Sequence, residues 1–151
     1  MHDAFFKLPE YVVRFGNTSV KEYMAKRNAR FFVFEDTEDG QLVGSIFMSW
    51  EVAEDRIVGN FSAVSVLDNQ TRKGIGRQLV AYAEEFLCAL GGPATRVLEA
   101  GVINLREDLF VWYGKQGFAT VRENKGDAEV TMISKPGLDV HLVVVAKTLR
   151  D

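Results

Sequence analysis

The residues best placed to do chemistry lie in the run Val64-Ser65-Val66-Leu67-Asp68-Asn69-Gln70-Thr71-Arg72-Lys73-Gly74-Ile75-Gly76-Arg77-Gln78-Leu79. Small and apolar residues suited to a strand give way to a polar stretch, then to Gly-x-Gly, then to a helical pattern. The start of a helix presents unpaired N–H groups and the positive end of the macrodipole. Glycines there let the backbone close on a phosphate without Cβ clashes. Arg72 and Lys73 add positive charge beside them. A pyrophosphate fits such a concavity, although a strand-to-helix turn can use the same glycines for conformation alone. The run is not a Walker loop, since no Gly-Lys-Ser/Thr follows. Leu79 also stands where the dinucleotide fingerprint wants a small residue.

A second cluster lies downstream: Val102-Ile103-Asn104-Leu105-Arg106, then Trp112-Tyr113-Gly114-Lys115-Gln116-Gly117-Phe118. Asn104 is of a type that caps helices. Tyr113 shares a helical face with Leu105, Leu109 and Trp112. It is either a core tyrosine whose hydroxyl finds a partner or a proton donor within reach of a reacting atom.

Together the two clusters resemble motifs A and B of the GNAT N-acetyltransferase superfamily. Motif A is a strand ending Val-x-Pro, then Arg/Gln-x-x-Gly-x-Gly/Ala opening a helix. Aligning Gly74 and Gly76 puts Val66 on the motif's Val, Asp68 on its usual Pro and Thr71 on its usual Arg/Gln, so the last two depart from the pattern. In motif B, Tyr113, Lys115, Gly117 and Phe118 all match. The resemblance spans residues 30 to 148, and it implies acetyl-CoA as co-substrate. The cofactor-binding set it implies is Val64, Ser65, Val66, Thr71, Arg72, Lys73, Gly74, Ile75, Gly76, Arg77, Asn104 and Tyr113. Thr71 to Gly76 would hold the pyrophosphate, and the backbone of Val64 and Val66 the pantetheine and thioester carbonyl. Tyr113 would be the general acid for the departing thiolate.

The reaction so implied is direct attack of a neutral primary amine on the thioester, with backbone donors stabilising the oxyanion. An amine protonated at neutral pH must first lose a proton, so a base or water chain is needed. Glu51, Glu54, Asp55 and Glu99 are the carboxylate candidates. Glu99 comes first, because it lies in a strand two residues before a glycine, near where the sheet should open. Glu54 and Asp55 read more simply as solvated loop carboxylates, and His141 as structural. Cys88 has no histidine near it in sequence, which leaves a covalent acyl-cysteine route without support.

Composition sets the frame for these residues. The 151-residue chain suits one domain, 1–151, and is 47% hydrophobic and 26% charged, with 13 Gly and 3 Pro. That argues against disorder and repeats. A net charge of -3 leaves no basic footprint, so nucleic acid is not an expected partner. An anionic cofactor must then be held by local geometry. One cysteine excludes an internal disulfide framework, and with only two histidines no structural zinc site is expected. With neither a signal-like start nor a membrane-length apolar run, a soluble cytoplasmic domain is the expectation.

Around these residues the chain divides into regular elements. Ser19 to Asn28 suggests a short helix, Arg30 to Glu35 a strand, and Asp39-Gly40 a hairpin turn into a strand over Leu42 to Trp50. Ile57 to Leu67 reads as a central strand and Lys73 to Leu90 as an amphipathic helix. Thr95 to Ala100 is a strand, Leu105 to Lys115 a helix closed by Gly117, and Leu138 to Thr148 a Val-rich strand. The last should pair with Ala119 to Arg122 or with Glu129 to Ile133. The fold class is α/β, a mixed and mostly antiparallel sheet with flanking helices, in which the family's first strand is missing ahead of Pro9.

The activity implied is therefore acetyl transfer from acetyl-CoA to a primary amine of a small molecule or peptide. Phe31, Phe32, Phe34, Trp50 and Trp112 would line an apolar acceptor pocket, or else the core. A homodimer partner could complete the acceptor wall. A non-catalytic acyl-CoA sensor that keeps the cradle without turnover is the rival reading. A nucleotide-binding domain is a third, and it lacks a metal-binding Ser/Thr after the loop.

Overall fold

The computed structural model describes residues 21, 22, 25, 27–67, 74–126, 135 and 137–149. The expectations of a missing first strand, of most of the helix from Ser19, and of a strand at Glu129 to Ile133 fall outside them. So do Thr71, Arg72 and Lys73. Among the described residues six strands form one sheet: β1 (Ala29–Glu35), β2 (Leu42–Val52), β3 (Arg56–Val66), β4 (Thr95–Ile103), β5 (Ala119–Asn124) and β6 (Leu142–Leu149). Two helices lie between strands, α1 (Ile75–Cys88) between β3 and β4, and α2 (Glu107–Lys115) between β4 and β5, and the described Lys21, Glu22 and Ala25 are helical as well.

The strand order is β1-β2-β3-β4-β6-β5. Every neighbouring pair is antiparallel except β3–β4. That exception follows from connectivity, since α1 is a crossover returning the chain to the start of the next strand. Several boundaries differ from the sequence reading, three of them near the site. β4 runs on to Ile103, α2 begins at Glu107 rather than Leu105, and β6 begins at Leu142 rather than Leu138. The tail strand takes β5 as its partner on one side and β4 on the other.

Both α1 and α2 lie on one face of the sheet. Ile75, Leu79, Val80, Ala83 and Leu87 of α1 are buried against Ile46, Met48, Phe61 and Leu98 in a single core that also takes in Tyr113 and Phe118. Glycines on the strands make this approach possible. A Cβ on Gly44 would lie 3.0 Å from Ile75 Cγ2 and 3.2 Å from the Ser65 carbonyl oxygen. Gly59 similarly makes room for Leu87 and Met48. At the other end of α1 the buried Arg96 donates to the carbonyls of Leu87, Gly91, Gly92 and Ala94, satisfying acceptors that a helix C-terminus leaves open.

The aromatic set does not form one pocket. Phe32 and Phe34 pack on Tyr82, and Phe32 and Trp50 on Phe86, all on the helix side. Phe31 stacks on Phe47 on the opposite face, and Trp112 meets Tyr113 and the Gly76 position. These rings stabilise the fold from two separate sides.

Candidate active site

The site begins where β3 and β4 part. Their pairing runs from Arg56↔Thr95 to Phe61↔Ala100 and stops, although β3 continues to Val66 and β4 to Ile103. Each strand beyond that rung keeps its other neighbour. β3 stays paired with β2 through Gly44↔Val66, and β4 with β6 through Ile103↔Leu142. The result is a wedge in the sheet whose inner edges carry main-chain groups not used in a β3–β4 ladder.

A bulge helps to open it. Ser45 pairs with Ser65 but Phe47 pairs with Ser62, so Ala63 and Val64 stand opposite the single residue Ile46. An extra residue bends a strand and reverses the facing of the residues beyond it. It brings Val66 onto the helix side, where its Cγ2 would lie 3.8 Å from a Cβ on Gly76. Val64 and Val66 both pack on the core while their backbone borders the wedge, and Ser65 is exposed.

The start of α1 faces the same end of the sheet. Its N-cap is Gly74 at φ 73, a left-handed conformation that L side chains rarely adopt, and no side chain caps it. The first intrahelical bond here is from the Gln78 N–H to the Gly74 oxygen at 3.1 Å. The amides of Ile75, Gly76 and Arg77 therefore precede the ladder and have no intrahelical acceptor. Arg77 folds back over Gly74, with its Nη2 3.8 Å from where a Cβ would be. Gly76 faces α2, where a Cβ would lie 3.4 Å from Trp112 Cζ2, an ordinary van der Waals distance. The helix start thus sets amides outside its own ladder beside the contact between α1 and α2. These features fit a phosphate-bearing ligand at the helix and an extended chain in the wedge.

Tyr113 is 7% exposed and its ring meets Phe61, Trp112 and Phe118. Phe61 is the last β3 residue paired to β4, so the phenol sits at the base of the wedge on the helix side. Burial alone pushes its pKa up to about 12, keeping the hydroxyl protonated at neutral pH.

Glu99 lies on the other face. Its neighbours Leu98 and Ala100 are fully inside the helix-side core, so alternation turns Glu99 away. It pairs with Asn60, one rung before the wedge, and Asn60 pairs with Ser49. Ser49, Asn60 and Glu99 therefore form a polar row across three adjacent strands. With Glu51, Val58 and Arg122 they line a cavity of about 230 Å³. Arg122 holds both Glu99 oxygens, at 2.9 and 2.8 Å. The sequence reading missed Arg122, Asn60 and Ser49. Strand alternation could have brought Ser49 and Asn60 to one face, but nothing signalled Arg122.

Asn104 does not cap α2, whose N-cap is Arg106. Its side chain donates to the Asp139 oxygen at 2.9 Å and accepts from the His141 N–H at 3.0 Å, while its own N–H reaches the His141 oxygen at 3.0 Å. These bonds extend the β4–β6 ladder by one rung beyond Ile103↔Leu142. They hold the end of β4 to β6, on the side away from β3. His141 is buried, with Nδ1 3.1 Å from Asp139 Oδ1. Glu54 and Asp55 belong to the β2–β3 connection.

The comparisons with known proteins bear on this geometry directly. The model of the acetyltransferase (GNAT) domain matches residues 27–120. No curated protein sequence matches the chain. Among solved structures, the NatB acetyltransferase complex bound to CoA and MES is similar with a TM-score of 0.69 at 19% identity, covering 90% of this chain and 84% of that one. An aminoglycoside 6'-N-acetyltransferase complexed with coenzyme A gives 0.68 at 20% identity, covering 91% and 83%. Nourseothricin acetyltransferase gives 0.62 at 20% identity, covering 82% of this chain and 66% of that one. At such identities the structural likenesses speak for the fold, while the domain model spans well over half of the sequence. Among the described residues the sheet opens at its one parallel pair, beside the start of α1, and the chain belongs to the GNAT acetyltransferase family.

Proposed function

We propose that the protein transfers an acetyl group from acetyl-CoA to a primary amine. The observation that carries this reading is the wedge between β3 and β4, with the α1 amides that precede the helical ladder beside it and a buried, protonated Tyr113 at its base. Acetyl-CoA supplies an acyl group activated as a thioester. The amides of Ile75, Gly76 and Arg77 hold the pyrophosphate, joined by Thr71, Arg72 and Lys73. The main chain of Val64 to Val66 binds the extended arm along the inner edge of β3. Its N–H groups stabilise charge developing on the acyl oxygen.

The two faces of the sheet divide the remaining work. The amine enters from the face opposite α1 and α2, over the row of Ser49, Asn60 and Glu99, and Tyr113 meets the sulfur from the side of those helices. A phenol at about 12 is a weaker acid than a thiol near 8.5, so full transfer to the thiolate runs uphill by ~5 kcal/mol. Tyr113 therefore acts as a hydrogen-bond donor to the departing sulfur, and solvent completes the protonation. Glu99 takes the proton that the attacking amine must lose, directly or through water, and solvent carries it away. Asn104 fixes the end of β4 and thereby the width of the wedge.

The reading is tested by thermal melting and thiol release. Acetyl-CoA stabilises the folded state by mass action, about 2.7 kcal/mol at a hundredfold excess over Kd. An unchanged melting temperature at millimolar acetyl-CoA would rule the reading out. Cofactor binding without amine-dependent thiol release would favour a sensor instead.

A further inference from the structure

Arg122 reaches Glu99 only because β5 is irregular. Ala119 pairs with Ala146 and Thr120 with Val145, but Arg122 pairs with Val144, leaving Val121 as an extra residue. In an unbroken strand Val121 would share the face of Ala119, and Arg122 would turn to the helix side with Thr120. The bulge reverses this and aims Arg122 at the face opposite α1 and α2, where Glu99 stands. Bulges beside functional sites commonly re-aim a side chain in this way. The rung leading from Glu99 to β5 is built from Ala146 and Ala119, so only small side chains stand between the two charged groups.

The pair is asymmetric. The Glu99 side chain is 14% exposed and that of Arg122 56%, with bonds of 2.9 and 2.8 Å to the two carboxylate oxygens. An exposed ion pair contributes little, but a bidentate fork fixes the plane of a carboxylate. Each Glu99 oxygen spends one lone pair on Arg122 and retains another. Glu99 lines the same cavity as Ser49 and Asn60.

Resting on the acetyl-transfer reading above, we propose that Arg122 is a positioning residue for the acceptor. It holds Glu99 across Ala146, so that the carboxylate's remaining lone pairs, with Asn60 and Ser49, seat the ammonium of a small polar primary amine. Arg122 does not touch the reacting atoms, and its effect passes entirely through Glu99.

The test is a double-mutant cycle on the full chain with Arg122→Gln, Arg122→Lys and Glu99→Gln. Ethanolamine, glycinamide and 1,3-diaminopropane serve as probes, and thiol release is followed at saturating acetyl-CoA. Arg122→Gln should raise KM for the best probe about tenfold, matching one charge-assisted hydrogen bond. It should leave the acetyl-CoA melting shift unchanged, and Arg122→Lys should recover part of the loss. In the Glu99→Gln background the Arg122→Gln effect should vanish. An unaltered KM, or an effect that persists without Glu99, overturns the proposal. If no probe turns over, the same probes are titrated by NMR into the CoA-saturated protein. Binding weakened by Arg122→Gln then supports the proposal, and absence of binding, or binding that this variant leaves unchanged, overturns it. The melting shift with acetyl-CoA separately judges the underlying reading.

Discussion

Tyr113 and Glu99 border the same strand opening from opposite faces of the sheet. Tyr113 packs on Phe61 on the helix side, while Glu99 precedes Ala100, the rung partner of Phe61, and points the other way. A thioester lying in the plane of the wedge would then have its nucleophile on one side and its leaving-group donor on the other. Tyr113→Phe removes the donor and retains the ring that fills the core. We expect kcat to fall about a hundredfold, the lower end of acid catalysis, because the buried phenol is a poor acid. KM for acetyl-CoA should change little. Thiol release at fixed amine concentration measures this, and a full rate in the phenylalanine variant would remove Tyr113 from the mechanism.

The same burial has a consequence at alkaline pH. The folded pKa of Tyr113 is pushed up to about 12, above an unfolded value near 10. Between those values the folded state binds the proton that the unfolded state releases, so stability falls as pH rises. The contribution is complete below pH ~10 and is lost on passing pH ~12, on the order of 2 to 3 kcal/mol. Urea unfolding at pH 8 and at pH 11 should show wild type losing more stability than Tyr113→Phe. Equal losses would mean that the hydroxyl is not desolvated in the folded protein.

Much of this arrangement was legible in the sequence. Hydrophobic periodicity located α1, α2 and most strands, because one-sided burial writes its period into the chain. The Gly74-Ile75-Gly76 run and Tyr113 to Phe118 located the start of α1 and the end of α2 for the same reason, as each depends on local residue types. The wedge was less visible, since it arises from where β3 stops pairing with β4 and from a bulge near Ala63 and Val64. No residue type announces either. Arg122 escaped notice because an unseen bulge reverses its facing. Nothing in the sequence singles out Arg96, yet it is 2% exposed and closes the end of α1. Asn104 looked like a cap from its type and spacing, but its hydrogen bonds go to residues 35 and 37 positions away.

Gly44 connects core packing to the cradle. Its missing Cβ lets the first turn of α1 sit on β2, with Ile75, Leu79 and the Ser65 carbonyl all within 3.2 Å of where that carbon would be. The two side chains can yield, whereas the carbonyl belongs to the β2–β3 ladder. Gly44→Ala should therefore destabilise the fold by about 1 to 3 kcal/mol through overpacking. It should also displace the start of α1 and weaken acetyl-CoA binding beyond what lost stability explains. Denaturant unfolding together with calorimetric titration separates the two effects. Unchanged stability would show that the contact relaxes freely.

Gly74 and Gly91 allow the cradle to be tested against a matched control. Both adopt left-handed backbone, at φ 73 and 74, and they lie at opposite ends of α1. A Cβ at Gly91 meets nothing within 4 Å, and one at Gly74 meets only Arg77 Nη2 at 3.8 Å. Steric clash is therefore minor at either position, and the backbone conformation alone should set the cost. Alanine at each should lose about 1 to 2 kcal/mol of stability. Only the Gly74 variant disturbs the amides of Ile75, Gly76 and Arg77, so only it should lose most of the acetyl-CoA melting shift. A Gly91→Ala variant with the same binding defect would mean that the shift reports general loosening of α1. Retained binding in Gly74→Ala would instead show that the helix start does not hold the phosphate.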